Sequence, residues 1–270
     1  MSSGSRHGTA LVTGASSGIG ASYAEKLAAR GYDLILVARD AARLMALGEK
    51  LEQQHGITAD VLRADLADRL DLDIVDRRLR DDRTISLLVN NAGIGPNGPL
   101  LKADTAYLDR MVDLNVTAAN RLALAAARAF SARGRGTIVN IASAVALAPE
   151  RFSGTYAAGK AFVLALTESL AAELKDSGVQ VQAVLPGFTR TEIFDRVGGS
   201  MDNLPQDSVM EVGDLVDAAL AGLDRNELVT IPSLEDAALF DSFRQSRAAL
   251  GPHLSRNKPA LRYSASPVAA

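Results

Sequence analysis

The sequence predicts a doubly wound, three-layer α/β/α fold built on a mostly or wholly parallel sheet of about seven strands. Three observations carry this expectation. Short, nearly continuous apolar runs alternate with longer amphipathic segments. Runs of that kind suit strands covered on both faces, which is the condition of a parallel sheet. A glycine-rich turn, residues 13–20, stands between the first apolar run and the first amphipathic segment.

In chain order, residues 9–13 form the first strand and lead into that turn; a helix over 21–30 follows and stops at Gly31. The second strand is 34–37, before a helix that runs through Leu51. The third is 59–63, before a helix over 66–79 with its charges on the outer face. The fourth strand is 85–89. Residues 106–133 then read as one long helix or as two in succession. Strand 137–141, helix 156–175 and strand 179–185 come next, and 228–231 is a seventh strand. Residues 1–254 are expected to form a single domain with a substrate lid at about 190–214. Residues 255–270, rich in Pro, Ser, Ala and basic side chains, are expected as a flexible tail.

Composition narrows the function classes. A chain of 270 residues suits one well-buried α/β domain. Its net charge of −3 gives no reason to expect nucleic acid or an anionic membrane as partner. The absence of cysteine excludes disulfides, thiolate metal sites and cysteine nucleophiles, and the three histidines are too scattered for a metal site. No run of 18 apolar residues occurs, so no membrane helix is expected. The first residues are small and polar and lack a signal-peptide core, so the expected location is the cytoplasm.

Two features carry chemistry. The turn Thr13-Gly14-Ala15-Ser16-Ser17-Gly18-Ile19-Gly20 opens a helix after a strand. A helix N-terminus attracts anions through its free N–H groups and dipole, and glycines let a pyrophosphate approach the backbone. By itself such a turn is also an ordinary tight strand-to-helix connection. The second feature is Tyr156 and Lys160, four apart and so on one helix face. That face continues through Val163, Thr167, Leu170 and Leu174, while Glu168, Glu173 and Lys175 lie off it. A lysine on an inward face is costly unless compensated; the alternative is a lysine that snorkels beside a half-buried tyrosine.

With these residues in order, the chain resembles the short-chain dehydrogenase/reductase family, the ordinary single-domain Rossmann type. The turn at 13–20 looks like its cofactor loop. Asn90-Asn91-Ala92-Gly93 follow the fourth strand, and Asn115 lies in the long helical region. Ser143 stands thirteen positions before Tyr156-x-x-x-Lys160, and Pro186-Gly187 follow the sixth strand. The likeness covers residues 8–190 closely and the rest in outline. One such motif is modest evidence; six in the right order are highly specific.

The resemblance implies a carbonyl reductase or alcohol dehydrogenase that moves a hydride between a nicotinamide and a carbonyl or alcohol. Asn115, Ser143, Tyr156 and Lys160 would be catalytic. Tyr156 would give the substrate oxygen a proton, or take one in the oxidative direction. A nearby cation would lower its pKa from ~10 toward the working range. Ser143 would hold the substrate oxygen, Lys160 the nicotinamide ribose, and Asn115 a water linked to the lysine. The cofactor would be held by Gly14, Ser16, Ser17, Gly18, Ile19, Gly20, Arg39, Asp65, Leu66, Asn91, Ala92, Gly93, Tyr156, Lys160, Pro186, Gly187, Thr189 and Thr191.

At the end of the second strand, Ala38 stands where NAD-preferring relatives usually carry Asp, and Arg39 looks like the arginine that accommodates a 2′-phosphate. NADP(H) is therefore favoured over NAD(H). Ser17 replaces a second basic residue that some relatives carry, and Asp40 would weaken phosphate binding if it pointed inward. Arg39 could also be a solvated residue opening the next helix. Asp65 either lies beside the adenine with Leu66 or caps a helix. Phe194, Val197, Met201 and Leu204 of the lid, with Val145, Leu147 and Phe152, either line a pocket for an apolar carbonyl or alcohol or pack the lid onto the body. No metal is implied. The resemblance also implies a homodimer or homotetramer, and the broad apolar surface of 118–130 fits a helix covered on two sides. Dehydratases and epimerases of the same fold, and nucleotide sensors without activity, fit less well. The glycine spacing differs from the former, and the latter usually lose the tyrosine or lysine.

Overall fold

A computed structural model describes residues 7–151, 154–192 and 205–263. By chain contacts the residues fall into two units, within Met1–Ser233 and within Leu234–Ala270.

The first unit runs β1 (Thr9–Thr13), α1 (Gly18–Ala29), β2 (Asp33–Ala38), α2 (Ala41–His55), β3 (Ala59–Arg63), α3 (Arg69–Asp81) and β4 (Ile85–Asn90). It continues with α4 (Thr105–Val112), a π-helical turn (Asp113–Ala118), α5 (Ala119–Ser131), β5 (Gly136–Ile141), α6 (Gly154–Glu173), β6 (Val179–Val184), α7 (Val212–Asp224) and β7 (Val229–Thr230). All seven strands are parallel, in the order β3-β2-β1-β4-β5-β6-β7. The order reverses beside β1, so the carboxyl ends of β1 and β4 flank the crevice where such sheets take ligands.

The apolar runs are buried on both faces because alternate residues feed different cores. Ala10, Val12, Leu34 and Leu36 pack with Tyr23 and Leu27 of α1, Leu44 of α2 and Leu215 of α7. Leu11, Ile35, Val37 and Leu88 pack with Leu72 of α3, Leu122 of α5 and Leu170 of α6. The breadth of the apolar surface at 118–130 is met inside the chain, because α5 lies between α3, α6 and the sheet.

Helix starts follow their caps. Asp40, Asp68 and Asp104 each accept backbone N–H bonds at the starts of α2, α3 and α4. Capping by Asp68 moves α3 to residue 69, three residues after the expected start. Ser17 at the start of α1 makes no side-chain cap bond. The long helical region is broken, and the break is the π turn that contains Asn115.

Beneath the carboxyl end of the sheet lies a buried polar row. Asn90 Nδ2 donates to the Ala119 carbonyl at 2.8 Å and to Asn140 Oδ1 at 3.0 Å. Asn140 Nδ2 donates to Thr167 Oγ1 at 3.0 Å, and that hydroxyl donates to the Val163 carbonyl. The row ties β4 and β5 to α6, about two turns beyond Lys160. In the second unit α8 (Ala237–Leu250; residues 234–263 of this unit are described) starts at an Asp236 cap and has no buried residue. The domain limit expected at 254 falls inside this unit. Among the described residues no helix is long and apolar enough to cross a membrane.

Replacing Thr167 with Val keeps shape but strands the Asn140 amide in the interior. It should cost about 1–3 kcal/mol and lower the urea midpoint with an unchanged m-value; an unchanged midpoint would show that the row does not hold α6.

Candidate active site

The β1–α1 turn is built around one hydroxyl. Thr13 Oγ1 accepts from the Asn91 and Ala92 N–H groups at 2.9 and 3.0 Å, and donates to the Val89 carbonyl at 3.3 Å. Asn91 Nδ2 returns a bond to the Thr13 carbonyl at 2.9 Å. This stitches the end of β4 to the start of the glycine turn. Gly14 and Gly18 have φ of +68° and +56°, where side chains are disfavoured. At Gly20 a Cβ would overlap the Gly14 carbonyl, so only glycine lets the first turn of α1 close on β1.

Above this turn opens a cavity of about 660 Å³. Its walls include Gly14, Ser16, Ser17, Gly18, Ile19, Arg39, Asp65, Leu66, Asn91, Ala92, Gly93 and Thr191, all anticipated from sequence. Gly20 lies under the wall, against Gly14 and Asn91. Val37, Ala38, Asp40, Arg43, Ala64, Ile94, Leu114 and Glu192 complete it.

The end of the cavity beyond β2 is rich in charge. Among the described residues Arg39 is exposed and makes no hydrogen bond or salt bridge. Asp40 turns its carboxylate to the Arg43 N–H as the α2 cap. Asp65 is not a cap of α3, a place that Asp68 takes. Its carboxylate accepts from Arg110 of α4 at 2.6 Å and from the Ala67 N–H. Burial raises the Asp65 pKa, but these bonds and the charges of Arg110 and Arg39 outweigh it and leave the carboxyl below its ordinary range.

The four expected catalytic residues come together from three elements. Asn115, on the π turn, accepts from the Ile94 N–H and donates to the Ile94 carbonyl, both at 2.9 Å. Its side chain is thereby committed to the loop after β4. A Cβ on Gly93 would stand 3.1 Å from Asn115 Oδ1 and 3.7 Å from Lys160 Nζ, so the two groups meet at the cavity wall. Lys160 is 7 % exposed and does not snorkel; its Nζ donates to the Ile141 carbonyl at 2.9 Å. Val163, Thr167 and Leu170 continue the same buried stripe, with Glu173 and Lys175 exposed. Ser143, on extended backbone after β5, lies near the Tyr156 hydroxyl; its own hydroxyl donates to the Pro186 carbonyl at 3.3 Å and accepts from the Val145 N–H at 3.4 Å.

The electrostatics depart from the expectation in one respect. Burial pushes the Tyr156 hydroxyl up, against the smaller lowering effect of nearby Ser143, rather than a cation drawing it down. Lys160 Nζ stands 5.9 Å from the Tyr156 ring centroid and is directed at Ile141. Burial also pushes Lys160 down, to about 8. Removal from water dominates at both groups.

Pro186, Gly187 and Thr189 do not line the main cavity. The Pro186 carbonyl accepts from the Ala144 N–H at 2.8 Å, joining the Ser143 loop to the end of β6. Gly187 borders a second cavity of about 370 Å³ with Phe188, Asp207, Ser208, Val209, Met210, Pro232 and Ser233. Thr189 forms a parallel bridge with Met210, so the end of the expected lid is pinned to this strand end. Val145 is buried and Leu147 packs beside Ala142, Val163 and Leu164. Phe152, Phe194, Val197, Met201 and Leu204 lie outside the described residues, as does the lid over 193–204.

Sequence reasoning missed the hub role of Thr13, which only the fold reveals, and the charged pair Arg43 and Glu192. Arg43 had a faint signal, because it lies on the first turn of α2 four positions after Arg39; Glu192 is 149 positions from Arg43 and had none.

Comparison with known proteins agrees with this arrangement. The family model for short chain dehydrogenases matches residues 8–201. A short-chain dehydrogenase from Sphingobium yanoikuyae, solved in complex with NADPH, is 49% identical with a TM-score of 0.92, over 95% of this chain and 99% of that one. The bulky-bulky ketone specific alcohol dehydrogenase of Comamonas testosteroni is 46% identical with a TM-score of 0.88, over 96% and 99%. A very-long-chain 3-oxoacyl-CoA reductase of Anas platyrhynchos is 33% identical over 188 residues, 68% of this chain and only 60% of the duck enzyme. The chain belongs to the short-chain dehydrogenase family.

Proposed function

We propose that the chain is an NADP(H)-dependent carbonyl reductase or alcohol dehydrogenase whose substrate presents an apolar carbonyl or alcohol. The observation that carries this reading is the buried Lys160, whose Nζ is bonded to the Ile141 carbonyl and stands 5.9 Å from the Tyr156 ring centroid, with Ser143 near the tyrosine hydroxyl.

The residues present fit a dinucleotide. The cavity is within the ~300–1,000 Å³ of small-molecule sites. The start of α1, without a side-chain cap, faces it through Ser16, Ser17, Gly18 and Ile19. Close approach at Gly14, Gly18 and Gly20 suits a pyrophosphate on the backbone. Asn91, Ala92, Gly93 and Thr191 would hold the middle of the molecule, and Asp65 and Leu66 the adenine. Arg39 would meet the 2′-phosphate; the adjacent Asp40 carboxylate lines the same cavity but is engaged by the Arg43 N–H and, at 3.6 Å, by Arg43 Nε. A bound nicotinamide supplies the hydride.

The protein's part is proton handling and positioning. Ser143 and Tyr156 together would bind one substrate oxygen, and Tyr156 would pass it the proton as the hydride arrives. Lys160 holds positive charge near the tyrosine and would bind the nicotinamide ribose. The Asn115 side chain is taken by Ile94, so what this residue offers a water chain to Lys160 is its main-chain carbonyl. The ketone specificity of the Comamonas relative supports an apolar carbonyl substrate, and the NADPH of the Sphingobium structure supports the cofactor; Val145 and Leu147 pack in the core.

NADPH oxidation against a panel of bulky ketones, small diketones and aldehydes tests the reading, and turnover of none of them would count against it. Tyr156→Phe should reduce turnover by at least about 100-fold with NADPH binding near normal; retained turnover would refute the proton role. Arg39→Ala should weaken NADPH by about 10-fold or more while NADH changes little; equal effects on both would remove the NADP assignment.

A further inference from the structure

Arg43 and Glu192, both on the cavity wall, match each other's charge across it, and Arg43 Nε also lies 3.6 Å from Asp40 Oδ2 on its own side. Arg43 projects from the first turn of α2, four positions after Arg39, and its Nη1 donates to both carboxylate oxygens of Glu192 at 2.9 and 3.0 Å. Glu192 follows Thr191, whose methyl faces Gly18 of the glycine turn. The pair therefore spans from the β2 end of the cavity to the loop after β6, and both partners line the cavity. Each side chain is about half exposed, 50% and 46%, so the pair is a weak one, held in water-accessible surroundings. Of the other cations near this end, Arg39 is exposed and Arg110 is fixed on Asp65 at 2.6 Å; Asp40 caps α2 and its second oxygen stands 3.6 Å from Arg43 Nε, a half-exposed and equally weak contact.

We propose that Arg43 is a second ligand of the cofactor's 2′-phosphate and that Glu192 competes with that phosphate for it, which makes Glu192 a determinant of NADP(H) over NAD(H) selectivity. The inference rests on the NADP(H) reading above. A phosphate monoester carries about −1.5 to −2 charges and three acceptor oxygens, against one charge on a carboxylate, so it wins a guanidinium that is only weakly held. Arg39 and Arg43 would then flank the phosphate from successive positions of the β2–α2 junction. That supplies the second cation that Ser17 fails to provide in the glycine turn. A cofactor with a free 2′-hydroxyl has nothing to offer Arg43 and leaves the Arg43–Glu192 pair intact.

The test is equilibrium binding of NADPH and NADH, by nicotinamide fluorescence, to the full chain and to Arg43→Ala, Glu192→Gln and the double variant. Arg43→Ala should weaken NADPH by about 10-fold or more and NADH by less than about two-fold. Glu192→Gln should tighten NADPH by about two- to five-fold and leave NADH unchanged. In the double variant the gain should vanish, because the guanidinium that Glu192 competes for is gone. Two observations would overturn the inference: Glu192→Gln leaving NADPH binding unchanged or moving both cofactors alike, or Arg43→Ala weakening both alike. The underlying reading fails differently. In that case wild type binds NADH as tightly as NADPH and Arg39→Ala does not discriminate. A wild type that prefers NADPH through Arg39 but is indifferent at 43 and 192 would sink this inference alone. Both side chains are half exposed, and 2′,5′-ADP against 5′-AMP repeats the comparison on ligands that carry no nicotinamide.

Discussion

The Lys160 ammonium leaves water to donate a 2.9 Å hydrogen bond to the Ile141 carbonyl at the end of β5. An internal charge is tolerable only with close partners, and this one has a single protein bond within a largely apolar helix face. Much of the site can be understood from that constraint. β5 must end where its last carbonyl is free to turn toward α6. α6 must lie with Lys160 behind Gly93 of the cavity wall, which the Asn90–Asn140–Thr167 row secures from below. The loop after β4 must bring Gly93 against both Lys160 and Asn115, where any side chain would crowd them. An ammonium that lacks strong anionic partners favours a site that presents hydroxyls, and a ribose is such a group.

The same economy is visible at the helix starts. Aspartate side chains satisfy the first N–H groups of α2, α3 and α4, and thereby place negative charge where the helix dipole welcomes it. α1 has no such cap, and its start faces the large cavity, as does the capped start of α2. A helix start without a side-chain cap is one that an anion could complete. The carboxylates near the other end of the cavity are tied to caps or to arginines, so the surface offered to a phosphate is less negative than the sequence Arg39-Asp40 implies.

The fold was legible because its apolar runs are buried on both faces and its glycine turn follows a strand. Even the interruption near Asn115 was foreshadowed by a helical region too long for one element. The start of α3 was misplaced because Asp68 outcompetes Asp65 as a cap, a choice that depends on where Arg110 sits in space. The convergence of Asn115, Ser143, Tyr156 and Lys160 was readable only through their order and spacing. The direction of the Tyr156 shift was not, because sequence spacing places a cation four residues away but does not say that burial outweighs it. The Arg43–Glu192 pair was invisible, since nothing in a linear chain links residues on opposite walls of a cavity.

The account turns on whether Lys160 is held out of water. A lysine whose folded pKa lies below its unfolded value of 10.5 releases its proton earlier when folded, so its burial penalises the fold at lower pH and the penalty disappears as pH rises from about 8 toward 10.5. The most direct measurement is an NMR titration of the Lys160 side-chain amine in the cofactor-free protein, assigned by comparison with Lys160→Arg. A midpoint near 8 is predicted; a midpoint near 10.5 would place the amine in solvent and contradict the account.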